Sequence, residues 1–285
     1  MSERPAPRPT VLIEGLALGE SPRWHDGKLW LSDWLAGEVL SVAADGVATV
    51  ELRMDGVPFC FDPLPDGRLL IVSNTGGRRL LRREPGGELV VHADLTGLAD
   101  HPWNEIVVDA HGNAYLNCIG FDMMGGQQPR PGILAVVTPD GAARVLAGDL
   151  HFPNGMALTP DGTVLIVAES HAKRLTAFDI AADGGLRNRR VWAEIDGCPD
   201  GICVDAEGAV WAAAMDRCVR VHEGGKVTEE VVLDRSPFAC MLGGPDGDTL
   251  FVVAAEWRGA EGMSPDVRTG QVLTVRAPAP HAGRP

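Results

Sequence analysis

The segment Leu18–Asp33, LGESPRWHDGKLWLSD, contains the unit that predicts the fold: an apolar strand, a polar turn ending in glycine and a second strand. The pattern returns as PDGRLLIVS (65–73), AHGNAYLNC (110–118), PDGTVLIVA (160–168), AEGAVWAAA (206–214) and PDGDTLFVV (245–253). Successive turn glycines are about 40 to 50 residues apart, which is the period of a propeller blade. A β-sandwich with irregular strands, the alternative, does not predict six nearly equal periods.

A second hairpin signal follows the first in the repeats, as in EPGGELVV (84–91), where glycine supplies the positive φ that hairpin turns require. Two hairpins per repeat predict four strands per blade. The sequence therefore predicts an all-β fold, a single six-bladed β-propeller domain over residues 10–276.

The end of the sixth repeat, GQVLTVR (270–276), leaves no sequence for a fourth strand in its blade. The N-terminal run TVLIEG (10–15) is β-rich, and we expect it to supply that outer strand and close the ring, which removes an exposed sheet edge. Residues 1–9 and 277–285 are rich in proline and are predicted to be disordered tails.

The composition restricts the partners of the protein. A net charge of −14 over 285 residues disfavours nucleic acid and anionic membranes. The N-terminus has no signal-peptide pattern, and no apolar run reaches the roughly 18 residues that a membrane helix needs. The 6 cysteines contain no C-x-x-C pair, which favours buried reduced thiols. We expect a cytoplasmic protein, monomeric or weakly homo-oligomeric, that acts on a small molecule.

Polar residues recur at equivalent places shortly before the turn glycines of repeats 1, 3, 4 and 5: Glu20, Asn104, Asn154 and Asp200. In a propeller these places lie at the mouth of the central channel, so two carboxylates and two amides are expected to converge there. Oxygen donors of this kind suit one divalent cation, Ca²⁺, Mg²⁺, Mn²⁺ or Zn²⁺. Pro-Asn-Gly and Pro-Asp-Gly, taken singly, are also ordinary turn tripeptides.

Three motifs, ESPRW (20–24), PNGMAL (153–158) and PDGICVDAEGAVW (199–211), resemble the metal-site motifs of the SMP-30/gluconolactonase/LRE-like family. FACMLGGPDGDTLFV (238–252) and GFDMMGG (120–126) are similar to bacterial members, and the resemblance extends over residues 11–276. It implies a six-bladed propeller with one divalent cation in its channel and lactonase or related esterase activity.

The same resemblance implies roles for individual residues. Glu20, Asn154 and Asp200 would bind the metal, and Asp200 would also be the general base or acid. Asn104 would contact metal-bound water or substrate.

The sequence departs from many sugar lactonases at one motif. These relatives carry Arg-x-Asn-Asp where this chain has Pro102-Trp103-Asn104-Glu105, preceded by His101. With Phe59, Phe61, Trp103 and Trp34, the substitution predicts a more apolar pocket than a sugar acid requires. The residues expected to contact substrate are His101, Trp103, Asn104 and, in the loop at 120–132, Phe121.

We therefore predict a metal-dependent hydrolase that opens a lactone, either of a sugar acid or of a more apolar acid. An organophosphate triester is a second substrate class for the same chemistry. A non-hydrolytic lyase or isomerase of a biosynthetic pathway, and a ligand-binding propeller with a structural metal, are the alternatives.

Overall fold

The computed structural model describes residues 8–283, which form 24 β-strands and two single-turn 3-10 helices at Ser170–Ala172 and Ala260–Gly262. Blade 1 consists of β2 (Gly19–His25), β3 (Lys28–Asp33), β4 (Glu38–Val42) and β5 (Ala48–Arg53). Blade 2 consists of β6 (Phe61–Pro63), β7 (Leu69–Ser73), β8 (Arg79–Arg83) and β9 (Leu89–Asp94). Blade 3 consists of β10 (Trp103–Val108), β11 (Ala114–Cys118), β12 (Gly132–Val137) and β13 (Ala143–Leu150). Blade 4 consists of β14 (Pro153–Leu158), β15 (Val164–Glu169), β16 (Arg174–Ile180) and β17 (Leu186–Glu194). Blade 5 consists of β18 (Pro199–Val204), β19 (Val210–Ala214), β20 (Arg217–Val221) and β21 (Val227–Val232). Blade 6 consists of β22 (Ser236–Gly243), β23 (Thr249–Ala255), β24 (Gly270–Arg276) and β1 (Thr10–Leu16).

Each blade is a four-stranded antiparallel sheet, and the six blades form a ring. The inner strands β2, β6, β10, β14, β18 and β22 contact one another in that order, and β22 contacts β2 again. β1 pairs with β24, with Thr10 opposite Thr274, so the N-terminal strand completes blade 6. The predicted six-bladed β-propeller and its closing strand are confirmed.

Hydrophobic side chains fill the spaces between neighbouring blades. Between blades 3 and 4, for example, Tyr115 and Leu134 pack with Met156 and Phe178 in one buried cluster. Fully burying one such side chain stabilises the fold by about 1.5–3 kcal/mol. The packing of each blade on the next fixes the positions of the inner strands, which carry the candidate site.

The two ends of the channel are built differently. The turn glycines at 27, 67, 112, 162, 208 and 247, all with positive φ, close the inner hairpins at one end. The inner strands begin at the opposite end, which we call the mouth. The connections between β11 and β12, between β15 and β16 and between β23 and β24 lie at the mouth, because antiparallel strands alternate in direction.

The chain after β24 differs from the sequence prediction of a tail from residue 277. Ala277 and Ala279 are buried, and residues 277–283 cross the turns of blades 5 and 6. The backbone of His281 forms a β-bridge with Asp205. Small residues and proline had indicated disorder, but backbone hydrogen bonds to two turns hold this segment. The predicted N-terminal tail lies almost entirely outside the described residues.

Two further expectations concern the thiols and membranes. All six cysteines are free; five are buried and Cys198 is exposed. Within the described residues, no helix has the length and apolar character needed to cross a membrane.

Candidate functional site

The inner strands depart from regular pairing where the candidate residues lie. β10 shifts register between Trp103 and Glu105, β14 between Pro153 and Met156, and β18 between Pro199 and Ile202. A bulge turns a side chain away from the direction that regular alternation would give it. Asn104, Asn154 and Asp200 lie inside these irregular segments, and Glu20 lies where β2 begins its own shift.

Pro-Asn-Gly and Pro-Asp-Gly are parts of strands β14 and β18 and are not turns. Their glycines allow close approach of neighbouring strands. A Cβ added to Gly155 would lie 2.5 Å from the carbonyl oxygen of Asp200, and one added to Gly201 would lie 2.5 Å from Cβ of Ala239. The tripeptides therefore bring Asn154 and Asp200 close together at the mouth.

A chain of hydrogen bonds orients the two amides. Asn104 Nδ2 donates to Asn154 Oδ1 at 3.2 Å, and Asn154 Nδ2 donates to Ser170 Oγ at 3.3 Å. The Ser170 hydroxyl in turn donates to the carbonyl oxygen of Pro199 at 2.7 Å. Asn117 Nδ2 holds the backbone carbonyl of Asn154 at 2.6 Å. Blades 3, 4 and 5 are thus joined around Asn154.

The two candidate carboxylates have strongly perturbed acidity. Burial raises the pKa of Glu20 well above its usual value, and repulsion from Asp200 and Glu105 raises it further. Burial and the Glu105 charge raise the pKa of Asp200 to about 8, although the Asn154 side chain opposes the shift. Both acids therefore resist ionisation unless a cation stabilises their charges.

A buried ion network lies beside these acids, and sequence analysis missed it. Arg23 Nε donates to Asp62 Oδ1 at 2.6 Å, and Arg23 Nη2 donates to Glu105 Oε1 at 3.0 Å and to the Ile106 carbonyl at 2.7 Å. The three charged residues come from blades 1, 2 and 3. A charged residue inside each of the strands β2, β6 and β10 is the only signal that the sequence offered.

The donor chemistry of the site fits a divalent cation. Arg23 pairs with Asp62 and Glu105, whereas Glu20 and Asp200 have no ion pair among residues 8–283. The carboxylates of buried Glu20 and half-buried Asp200, with an amide oxygen, supply the hard donors that Ca²⁺, Mg²⁺ or Mn²⁺ prefers, and Zn²⁺ also accepts oxygen ligands. The described part of the chain contains no group of three or more His, Cys, Asp or Glu side chains suited to a metal, so this donor set depends on Asn154.

Unpaired polar atoms also collect beside the channel acids. Within the described residues, Ser21 Oγ, Ser32 Oγ and Asn117 Oδ1 are buried without a hydrogen-bond partner. Ser21 follows Glu20, Ser32 pairs with Glu20 across β2 and β3, and Asn117 pairs with Glu105. Buried polar atoms without partners are unfavourable, so this region is suited to hold polar groups from solvent or ligand.

The residues predicted to contact substrate occupy different environments. Trp103 is completely buried in a hydrophobic cluster between blades 2 and 3, so the structure places it in the core and not at the mouth. His101 is half-buried, and its carbonyl oxygen accepts a hydrogen bond from Arg78 Nε at 3.0 Å. Phe121 begins the mouth loop of blade 3, where its ring packs 5.7 Å from that of Phe152.

The aromatic residues that suggested an apolar pocket are also in the core. Phe59 and Phe61 are 1% and 0% exposed and pack between blades 1 and 2. Trp34 is half-buried, and its Nε1 donates to the Phe59 carbonyl at 2.5 Å. The side chains of Phe59 and Phe61 cannot form a pocket wall because their surfaces are already covered. Of the aromatic residues named from the sequence, Phe59, Phe61 and Trp103 are therefore excluded from the mouth surface.

The raised pKa values of the two acids predict an unusual dependence of stability on pH. A carboxyl whose folded pKa exceeds its unfolded value contributes stability that is present below the unfolded pKa and is lost as pH rises through the folded one. For Asp200 this window runs from 3.8 to about 8. In metal-free protein we expect stability to fall across it by up to about 1.4 kcal/mol per pH unit, relative to Asp200→Asn.

Urea unfolding in the presence of a chelator, at several pH values between about 5 and 8, measures this difference. Asp200→Asn is the reference because it removes the titrating group and leaves the histidines and surface acids unchanged. Parallel pH profiles for the two proteins would contradict the raised pKa assigned to Asp200.

The comparisons with known proteins agree with this architecture. Residues 18–256 match the SMP-30/gluconolactonase/LRE-like region. The 6-deoxy-6-sulfogluconolactonase of Pseudomonas putida is 27% identical, covering 96% of each chain. The pentonolactonase XacC of Haloferax volcanii is 26% identical over 86% of this chain and 84% of its own. The calcium-binding protein regucalcin of Agrobacterium tumefaciens shares the fold, with a TM-score of 0.76, 24% identity and 95% coverage of both chains.

Proposed function

Because the chain belongs to the SMP-30/gluconolactonase/LRE-like family, we propose that its channel site is that of a divalent-metal-dependent hydrolase that opens lactones. The observation that carries the proposal is the pair of acids, buried Glu20 and half-buried Asp200, which form no ion pair among the described residues and whose pKa values are both raised. Two relatives at 26–27% identity are lactonases, which supports this reaction class.

Glu20, Asn154 and Asp200 would hold the cation through their side-chain oxygens. A cation bound there would polarise the lactone carbonyl and make a neighbouring water more acidic. Its identity among Ca²⁺, Zn²⁺, Mn²⁺ and Mg²⁺ stays open, because all four accept oxygen donors. Ser170 and Asn117 support the site, because they fix the amide plane and backbone of Asn154.

Asp200 would move the proton in the reaction. Water adds to the acyl carbon while the Asp200 carboxylate takes its proton; the ring C–O bond then breaks, and Asp200 returns the proton to the leaving oxygen. The products are a carboxylate and a hydroxyl on one open chain, with release of one proton to solvent near neutral pH. Asn104, hydrogen-bonded to Asn154, would orient the substrate through its amide.

A pH-indicator assay on a panel of sugar and aliphatic lactones tests the proposal. We expect no acid release from metal-stripped protein and recovery when Ca²⁺, Mg²⁺, Mn²⁺ or Zn²⁺ is added singly. Calorimetric titration of each cation into the stripped protein gives binding without reference to turnover. Full turnover by stripped protein would refute the metal-dependent mechanism. If a cation binds but no lactone in the panel is hydrolysed, the protein would instead be assigned as a lyase, an isomerase or a binding propeller.

A further inference from the structure

One hydrophobic side chain occupies a position equivalent to those of the polar site residues. In β10, β14 and β18 the first residue is buried and the second is half-buried. These second residues are Asn104, Asn154 and Asp200. β22 has the same pattern from Pro237 onward, and its half-buried residue is Phe238. Its register shift falls between Pro237 and Ala239, so the same bulge presents Phe238 at the mouth.

The neighbours of Phe238 place it beside the candidate acids. β22 packs between β18 and β2, the strands that carry Asp200 and Glu20. The carbonyl oxygen of Phe238 lies 3.0 Å from the position of a Cβ added to Gly201, the residue after Asp200. The aromatic ring is therefore the contribution of blade 6 to the ring of mouth residues.

A second aromatic side chain extends this surface outward. Trp257, in the connection from β23 to β24, packs edge-on against Phe238 with ring centroids 5.9 Å apart. Trp257 is 48% exposed, which is unusual for so large an apolar ring. We call Phe238 and Trp257 together the aromatic wall.

The opposite side of the mouth is aromatic too. Phe152, two residues before Asn154, has a left-handed backbone with φ +58°, which is strained for a bulky residue. Its ring lies 4.7 Å from that of His171 and 5.7 Å from that of Phe121. Strained backbone persists where the surrounding structure imposes it, and here it holds the Phe152 ring against those of His171 and Phe121.

We infer that the aromatic wall selects lactones bearing an aryl or alkyl substituent over polyhydroxylated sugar lactones. The inference rests on the proposed function and specifies its substrate class. An apolar substituent is stabilised when it packs against the two rings, because its surface is removed from water. A sugar hydroxyl placed against them loses water and finds no hydrogen-bonding partner in the rings, which is unfavourable.

The experiment compares two six-membered lactones, dihydrocoumarin and glucono-δ-lactone, in wild type, Phe238→Ala and Trp257→Ala. We expect the ratio of kcat/KM values, aryl over sugar lactone, to fall about 10- to 100-fold in both variants. Using the ratio cancels the different intrinsic reactivity of the lactones and any partial loss of folded protein. Trp257→Phe, which keeps an aromatic ring, should retain most of the ratio, and Val91→Ala, exposed on β9 of blade 2, should retain all of it.

A ratio unchanged within about twofold in both Phe238→Ala and Trp257→Ala would overturn the inference while leaving lactone hydrolysis intact. If neither lactone is hydrolysed, the proposed function fails, and calorimetric titration of hydrolysis-resistant lactams decides the inference separately. Binding of the aryl lactam 3,4-dihydro-2-quinolinone, lost in Trp257→Ala and stronger than that of gluconolactam, would support the aromatic wall. Equal or absent binding of the two lactams would overturn it.

Discussion

Replacing Asp200 by asparagine is expected to lower kcat/KM for lactone hydrolysis by about 1,000-fold or more while the propeller stays folded. The substitution keeps the size of the side chain but removes the group that would accept and return the proton. It also removes one of two carboxylates from the proposed cation site, so the affinity for the cation should fall as well. Kinetics at saturating cation separate the loss of the proton carrier from the loss of the metal.

Glu20→Gln gives the complementary result. Glu20 would act only as a ligand, so its loss should weaken cation binding in calorimetry and part of the activity should return at high cation concentration. Asp216→Asn, an exposed acid in blade 5, is the matched control and should change neither quantity. Asp200→Asn with turnover within about tenfold of wild type would eliminate Asp200 as general base or acid.

The fold was predictable because the sequence pattern that produces it is periodic. A polar turn with glycine, followed by a β-rich run, recurs six times, and each recurrence gives the same hairpin. Equivalent residues in equivalent hairpins lie at equivalent places around one axis, which is why Asn104, Asn154 and Asp200 could be aligned from the sequence.

The direction of individual aromatic side chains was not predictable in the same way. Trp103 and Phe61 lie in the core, whereas Phe238 and Trp257 reach the mouth. A one-residue bulge reverses which side of a strand a residue faces, and its exact place follows from packing against the next blade. Phe238 could have been found by aligning Pro237-Phe238 with Pro199-Asp200, which the repeat permits.

The Arg23 network lay beyond sequence analysis for a different reason. Asp62 and Glu105 lie 39 and 82 positions after Arg23 in the chain. The three residues come into contact only when three blades close around the channel. Arg23 is 5% exposed, and its guanidinium supplies the positive charge for two buried carboxylates. Glu105, a member of this network, also raises the pKa of Glu20 and of Asp200 through its charge. Arg23 therefore balances the charge of two buried carboxylates and, through Glu105, influences the pKa values of Glu20 and Asp200.

Arg23→Met is expected to destabilise the protein by about 3–5 kcal/mol, because it leaves two carboxylates buried without their cation. Burial already raises the pKa of Glu105 despite Arg23, and removal of the guanidinium should raise it further. Part of the loss should therefore be recovered as pH falls and the carboxyls become neutral. Urea unfolding at two pH values measures both effects.

The triple variant Arg23→Met, Asp62→Asn, Glu105→Gln distinguishes charge from packing. It removes all three charges, so it should recover much of the stability that the single substitution loses, as buried ion groups replaced together often do. Asp62 Oδ2 accepts the backbone N–H of Val108 at 2.6 Å, and an asparagine oxygen can keep that bond. If the triple variant were no more stable than Arg23→Met, the arginine would stabilise the protein through the packing of its side chain. Neutralisation of the buried carboxylates would then contribute little to the free energy of unfolding.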